Sequence, residues 1–335
     1  MESKDVMPGI PVSVRRMGEK MVLWRDTQGK LACVSDLCPH RGVALSVGKV
    51  LGDCIQCPFH GFQYDKTGAC TIIPANGKNA AIPKAMHVRS YPVKEAHDFI
   101  YLWWGEPRED LPPLPWFDSI DESFSYGTII DPWATHYSRA IENQLDVVHL
   151  PFIHRNTIGR GNRTLVNGPV ARLVPQEGNS DIINLWVNNE VDHGQQPRRA
   201  SDLPEPERHP FLQFRFPNIW HNWISDSFRI VAAFVPLNNE NTLLILRGYQ
   251  NRVRIPLLRE ITNLVYSIGN VVIERQDKEV VITQLPKPSG LHIGEMMIPG
   301  DGPIVLYRRR REELQKEGSL QEKISGDISQ VNGVQ

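Results

Sequence analysis

Residues 38–61 read CPHRGVALSVGKVLGDCIQCPFHG, which sets a Cys-x-His pair (Cys38, His40) and a Cys-x-x-His pair (Cys57, His60) sixteen residues apart. Two thiolates and two imidazoles are metal-ligand chemistry, and tetrahedral zinc accepts that mixture. Zinc fingers, however, usually take both cysteines from one element and both histidines from another. Here each loop offers one of each, which suits a centre with two unlike metal ions.

The flanks of this stretch are of strand type. From Ile10 to Trp104 short apolar runs alternate with turn residues: MVLWRD, TQGK and LACVSD (21–36) read as a hairpin, and DFIYLWWGEP (98–107) as a closing strand followed by a break. Trp103 and Trp104 are expected to pack the end of that strand. The pattern predicts a small all-β domain with the Cys/His pairs at two loop tips.

The prolines of PREDLPPLPWFDS (107–119) cannot sit inside a helix or a central strand, so this stretch is the candidate linker. Beyond it, HYSRAIENQLDVVH (136–149) has helical character up to Pro151. LQFRFPNIWHNWI, FRIVAAFVPL and TLLILRGYQ (212–250) are strand-like. Residues 256–283 place Leu257, Ile261, Leu264, Val265, Ile268 and Val272 on one face, predicting a long amphipathic helix packed by that face on a sheet. RRRREELQKE (308–317) reads as a solvated helix face, and the polar residues from Gly318 as a disordered tail.

The chain has 335 residues, enough for two domains, and a formal net charge of -1 from 37 basic and 38 acidic residues. That balance gives no reason to expect nucleic acid or an anionic membrane as partner. MESKDVMPGIPVS lacks the apolar core of a signal peptide and no run approaches a membrane span, so a soluble, cytoplasmic protein is expected. The five cysteines are odd in number and all lie in the first quarter, which fits a reduced compartment and a local metal site. Cys33, Cys54 and Cys70 lack a ligand-type partner at suitable spacing and read as small packing residues.

A Rieske [2Fe-2S] cluster has two unlike irons, one held by two cysteines and the other by two histidines. CPHRG followed by CPFHGFQYDKTG resembles the motif of the Rieske non-haem iron oxygenases. The resemblance implies Cys38 and Cys57 on one iron and His40 and His60 on the other. Pro39, Pro58, Gly42 and Gly61 then read as turn residues that stiffen the loops and let backbone amides approach the sulfides. High-potential Rieske proteins of respiratory complexes carry an additional cysteine in each loop; Phe59 fills one of those places here, which disfavours that variant.

A second metal site is readable in ENQLDVVHLPFIH (142–154). His149 and His154 would diverge on an unbroken helix, but Pro151 ends it, leaving His149 near its C-terminus and His154 on the following turn. They are two-thirds of a facial triad for ferrous iron. The third ligand should be a carboxylate, and Glu274, Asp277 and Glu279 all lie on the long helix. IERQDKEVVITQ (273–284) resembles the segment where the family places its aspartate, which selects Asp277, with Glu274 in reserve. Asp146, three residues before His149, is expected on the same helical face. In the family this aspartate bridges, across a subunit boundary, an iron-ligating histidine and a cluster histidine. The resemblance thus implies His149, Asp146 and His60 of the next chain in a head-to-tail homotrimer, with Asn143 close to the iron. Asn218, His221, Asn222 and Trp223 are candidates to line a substrate pocket, although sheet packing explains them as well.

The resemblance covers nearly the whole chain and implies an α+β protein: an all-β Rieske domain (1–106), a linker (107–118), a helix-grip catalytic domain with an antiparallel sheet around a long C-terminal helix (119–317), and a tail (318–335). The family usually carries an aromatic-rich N-terminal strand ahead of the region where this chain begins, so the expectation is that either the sequence is short at this end or that edge is built differently. With neither a Gly-rich dinucleotide fingerprint nor a plant-type Cys-x4-Cys-x2-Cys run, electrons are expected from a separate NAD(P)H-dependent reductase or ferredoxin. The implied activity is hydroxylation or oxidative demethylation of a small organic compound, aromatic compounds included, with O2; cis-dihydroxylation of an arene follows it, and an electron-transfer protein without catalysis is the rival of another class.

Overall fold

The run MVLWRD forms the centre of a three-stranded antiparallel sheet, β1 (Val12–Arg16), β2 (Glu19–Arg25) and β3 (Leu31–Ser35), and the expected hairpin pairs Met21 with Ser35 through Arg25 with Leu31. The Asp26 carboxylate closes its turn by accepting the N–H groups of Gln28 and Lys30 at 2.9 and 2.8 Å. These coordinates are a computed structural model, which describes the chain apart from residues 78, 106, 107, 109, 160–164, 167, 188, 189, 197, 199–201, 204, 205, 207 and 332–335, and only the backbone at 165, 179 and 320–331. The chain divides into two units, 1–114 with 236–238, and 115–235 with 239–335. The division falls inside the proline-rich stretch, of which Pro107 and Glu109 lie outside the described residues.

In the first unit β4 (Lys49–Leu51), β5 (Cys54–Gln56), β6 (Gln63–Tyr64) and β7 (Cys70–Ile72) make a second antiparallel sheet, and β8 (Val93–Ala96) pairs with β9 (Phe99–Leu102). Strand β2 is buried on both faces. Val22 and Trp24 enter one core with Val34, Leu45, Ile55 and Tyr64, while Met21 and Leu23 enter another with Cys33, Tyr91 and Ile100. The period-2 alternation of a strand thus serves two cores at once. Cys33 and Cys70 are buried, and burial pushes the Cys33 thiol up to about 12. Trp104 stacks on Tyr91, at 6.0 Å between ring centroids.

The second unit is built on a seven-stranded antiparallel sheet. Its strands are β10 (Ser125–Trp133), β12 (Val170–Val174), β13 (Ile182–Trp186), β15 (Leu212–Arg215), β16 (Ile219–Ser225), β17 (Phe228–Pro236) and β18 (Thr242–Gln250), in the order β10-β18-β17-β16-β15-β13-β12; β11 (Leu165–Val166) pairs with β14 (Glu190–Val191). Helix α1 (Tyr137–Leu145), the short α2 (Leu150–Ile153), α3 (Pro256–Val281) and α4 (Gly302–Val331) complete it. Leu212, Phe214, Trp220, Ala232, Phe234, Leu244 and Leu246 share one sheet face, where they form a core with Ile141, Leu145 and Val147. The opposite face is covered by Trp116 and Phe117 from the end of the proline-rich stretch, with Trp116 edge-on to Tyr249 and Phe117 stacked on His221.

The expectations for the helix from 136, Pro151, α3, the arginines of α4 and the tail are corrected. The helix from 136 does not reach His149: it stops at Leu145, where Asp146 leaves helical geometry (φ -83°, ψ 123°) and its carboxylate accepts the amides of Val148 and His149. Pro151 instead lies in the first turn of α2, where its missing N–H costs nothing. The long helix α3 presents the opposite face to the one expected. Asn263, Asn270, Glu274, Asp277 and Val281 are its buried residues, while Leu257, Ile261, Leu264, Val265, Ile268 and Val272 are exposed in the single chain. Its polar stripe can face inward because it finds partners there: Asn263 donates to the Tyr126 carbonyl, and Lys278 grips Asp131 at 2.7 Å.

Three of the four arginines at 308–311 are anchors, and only Arg309 among them lies on a solvated face. Arg308 is buried on Glu142 and Glu295, Arg310 reaches Asp181, and Arg311 donates to the Tyr137 hydroxyl. The polar stretch from Gly318, expected to be disordered, continues the helix to Val331. Extending an existing helix needs no new nucleus, so a polar stretch can follow an anchored one.

Candidate metal centres

The two Cys/His loops of the first unit repeat one backbone pattern. The Cys38 amide donates to the Val43 carbonyl (2.9 Å) and the Gly42 amide returns to the Cys38 carbonyl (2.9 Å); in the second loop Cys57 donates to Phe62 (2.8 Å) and Gly61 to Cys57 (3.1 Å). Gly42 and Gly61 close these loops at φ 70° and 76°, a region that favours glycine. Equal offsets set the two Cys/His pairs against one another, with the His40 and His60 rings 4.6 Å apart and edge-on.

Burial divides the four side chains by type. Cys38 and Cys57 are buried at 2% exposure, whereas His40 and His60 are exposed. Tyr64 Oη lies 3.3 Å from Cys38 Sγ, and the amides of Phe59 and His60 are directed at the Cys57 sulfur. Desolvation, before any other cause, holds the Cys57 thiol above its ordinary value. Two buried thiolates therefore need a bound cation with sulfur affinity, while the exposed pair offers neutral imidazoles. This donor set fits a cluster with one cysteine-held iron inside and one histidine-held iron at the surface.

In the second unit His149 stands just before α2, His154 just after it, and Asp277 one turn from the end of α3. One donor atom from each lies within 4.8 Å of the others. Asp277 Oδ1 is 3.0 Å from His154 Nε2 and 3.4 Å from His149 Nε2. Burial opposes the charged form of His149, but the carboxylates of Asp146 and Asp277 outweigh it and hold that imidazole up at about 9. Asp277 Oδ1 is buried without a hydrogen bond, so two imidazoles and a carboxylate converge where a divalent cation would satisfy all three.

Glu274 is not part of this group. It accepts from Trp133 Nε1 in a short hydrogen bond and lies against Asp131, with burial and then Asp131 raising its carboxyl to about 7. Asn143 Nδ2, on α1, is buried without a partner. Asp146 Oδ1 is 3.6 Å from His149 Nδ1. Sequence reasoning passed over Gln276, whose Oε1 accepts from His154 Nδ1 at 2.9 Å and from the Thr157 hydroxyl at 3.1 Å, fixing the ring so that Nε2 points at Asp277. Its position beside Asp277 was the available signal.

The pocket candidates separate. His221 lies on the sheet face away from the core, stacked on Phe117 at 4.8 Å, and Trp223 shares that face beneath Arg229. Strand alternation sends odd-numbered residues of β16 to that side. Asn218 bridges strands by donating to the Phe234 carbonyl at 2.9 Å. Asn222 alone points into the core face, opposite Leu212 and Ile230.

Two family descriptions match this chain: the Rieske [2Fe-2S] domain over residues 1–92, and the vanillate O-demethylase oxygenase C-terminal domain over residues 133–317. The toluene-4-sulfonate monooxygenase system iron-sulfur subunit of Comamonas testosteroni is 29% identical over 181 residues, 53% of this chain and 51% of that protein. Chlorophyllide a oxygenase of Chlamydomonas reinhardtii is 33% identical over 183 residues, 54% of this chain and 26% of that protein. The matched region thus spans about half or less of these relatives. Among solved structures, NdmA of Pseudomonas putida CBB5 with caffeine superimposes with a TM-score of 0.71 at 22% identity, covering 93% of this chain and 87% of that one. Dicamba monooxygenase bound to dicamba gives 0.68 at 18% identity, covering 96% of each; both are likenesses of fold. Among the described residues no helix is long and apolar enough to cross a membrane.

Proposed function

Because this chain belongs to the Rieske oxygenases, joining a Rieske [2Fe-2S] domain to a vanillate O-demethylase-type C-terminal domain, we propose that it is the oxygenase component of a multicomponent system that hydroxylates or oxidatively demethylates a small organic substrate. Its cofactors are a Rieske cluster and a mononuclear iron. The observation that carries the reading is the convergence of His149, His154 and Asp277 in a buried site within a chain that also carries the paired Cys/His loops. Monooxygenation is favoured over dihydroxylation because the toluene-4-sulfonate and dicamba proteins are both monooxygenases.

When bound, the cluster supplies single electrons and the ferrous iron supplies open positions for dioxygen. Cys38 and Cys57 would hold the inner iron of the cluster, His40 and His60 the outer. His149, His154 and Asp277 would hold the mononuclear iron from one side, and Gln276 keeps His154 oriented for it. The unpartnered Asn143 Nδ2 would donate a hydrogen bond to a molecule entering that space. Asp146 uses Oδ1 on the amides of Val148 and His149, and its carboxylate would meet His60 of the next subunit in a head-to-tail homotrimer. The reductant would be a separate reductase or ferredoxin.

The iron-to-acid-labile-sulfide ratio of anaerobically purified protein tests the reading. About three to two, with a reduced Rieske EPR signal, is expected. A ratio near two to two that added ferrous iron does not raise would replace it with an electron-transfer protein. His149→Ala should keep the cluster, lose the mononuclear iron and abolish turnover. Asp146→Asn should keep both metals while electron transfer between them collapses; normal turnover in that variant refutes the bridging role.

A further inference from the structure

Three buried polar atoms without partners line one part of the catalytic sheet: Trp220 Nε1 and Asn222 Oδ1 on β16, and Asn270 Nδ2 on α3. Trp220 is 5% exposed and Asn270 9%. Trp220 belongs to the core face, and Asn222, two residues on, shares that face with Leu212 and Ile230 on the flanking strands. Asn270 approaches the same face from above. A Cβ placed on Gly248 would come within 3.2 Å of Asn270 Nδ2 and 3.6 Å of the Phe228 ring, so the amide lies over bare backbone beside that ring. Phe228 is two residues before Ile230 on β17 and is covered by Tyr266 of α3 at 4.4 Å. Asn270, Phe228, Ile230 and Asn222 therefore border one space, with Trp220 next along β16.

That space lies within reach of the iron ligands. Asn270 precedes Asp277 by seven residues on the same buried stripe of α3, two turns or about 10 Å along the axis. A small ring compound fits within this distance. Charge then limits its chemistry. The core-facing residues of β16, β17 and β18 named above include no cation; Arg139 and Arg308 are committed to Glu142 and Glu295 and the half-buried Lys278 to Asp131, while the buried Arg229 and Arg247 lie on the opposite sheet face, over Trp223 and Tyr126. Among the described residues a carboxylate or sulfonate held at these three atoms would find no side-chain cation, whereas two N–H donors and one carbonyl acceptor match amide groups.

We infer that the substrate is a neutral ring compound carrying amide-type C=O and N–H groups, a cyclic amide or imide, held by Trp220 Nε1, Asn270 Nδ2 and Asn222 Oδ1. This rests on the oxygenase reading for its place beside the iron. The test is calorimetric titration of the anaerobic holoprotein with 2-pyridone, succinimide and hydantoin against benzoate and benzenesulfonate. At least one neutral amide should bind tenfold or more tighter than either anion. Asn270→Leu and Trp220→Phe, the latter removing the N–H together with part of the indole ring, should each weaken it at least fivefold with metal content unchanged. Anions binding as tightly, no amide binding, or unaltered affinity in the well-folded Trp220→Phe protein overturns the inference. Amide binding by protein that takes up no mononuclear iron would uphold this pocket and sink the oxygenase reading instead.

Discussion

Replacing Glu274 by Gln should stabilise the protein at pH 8 and leave it nearly unchanged near pH 4. The Glu274 carboxyl is 5% exposed, lies against Asp131, and has its pKa raised from 4.5 to about 7, first by burial and then by that neighbour. A folded-state pKa above the unfolded value means that the folded chain binds the extra proton between those limits. The stability it contributes is complete below about pH 4.5 and is lost as pH rises through 7. A rise of about 2.5 units at ~1.4 kcal/mol per unit makes the deprotonated carboxylate cost about 3 kcal/mol by pH 8, and under about 1 kcal/mol at pH 5. Gln keeps an acceptor for Trp133 Nε1 and a donor for Asp131 but does not titrate. Urea unfolding followed by tryptophan fluorescence at pH 5, 7 and 8 should show the gap between variant and parent opening with pH, in favour of the variant. A gap independent of pH, or a parent more stable at pH 8, would refute the burial argument.

Gln276→Leu should leave the cluster intact and lower iron affinity by roughly 10- to 100-fold, because His154 loses the acceptor that orients its ring; iron retained against a chelator is the readout, and parental retention would count against a positioning role. Gly61→Ala should cost more cluster occupancy than Gly42→Ala. Both sites need positive φ, worth about 1 kcal/mol or more, but only at Gly61 does the added Cβ meet a neighbour, Pro74 Cγ at 3.1 Å. Equal sulfide contents in the two variants would contradict that difference.

The first unit was legible because its signals are local. A turn of four residues flanked by apolar runs is a hairpin wherever it occurs, and Cys/His pairs at loop tips keep their meaning without tertiary context. The break after α1 was misplaced because Pro151 is the conspicuous residue, while the event that ends the helix is a side-chain capture: Asp146 takes two amides that would otherwise continue it. The same capture turns the chain so that His149 and His154 flank one short helix. In the pocket region, strand alternation alone could have separated His221 from Asn222. Which of the two faces inward depends on Trp220 packing in the core, a non-local fact.

Helix α3 shows most clearly why periodicity can mislead about direction. An apolar stripe predicts burial against something, and from one chain the nearest candidate is its own sheet. Here the sheet takes the other stripe, since Gly127 opposite Gly248 leaves room for close approach: a Cβ at Gly127 would come within 2.6 Å of the Asn263 carbonyl. Close approach by a polar stripe is sustainable only where each polar group has an assigned use. Asn263 binds the Tyr126 carbonyl, Glu274 takes Trp133 Nε1, and Asp277 faces two imidazoles. In this row Asn270 Nδ2 and Asp277 Oδ1 have no hydrogen-bond partner among the described residues, and Asp277 has the cation site for its use. Since a buried orphan donor costs about 1–3 kcal/mol, the presence of Asn270 beside the satisfied Asn263 and Glu274 is the argument that it is matched by a molecule from outside.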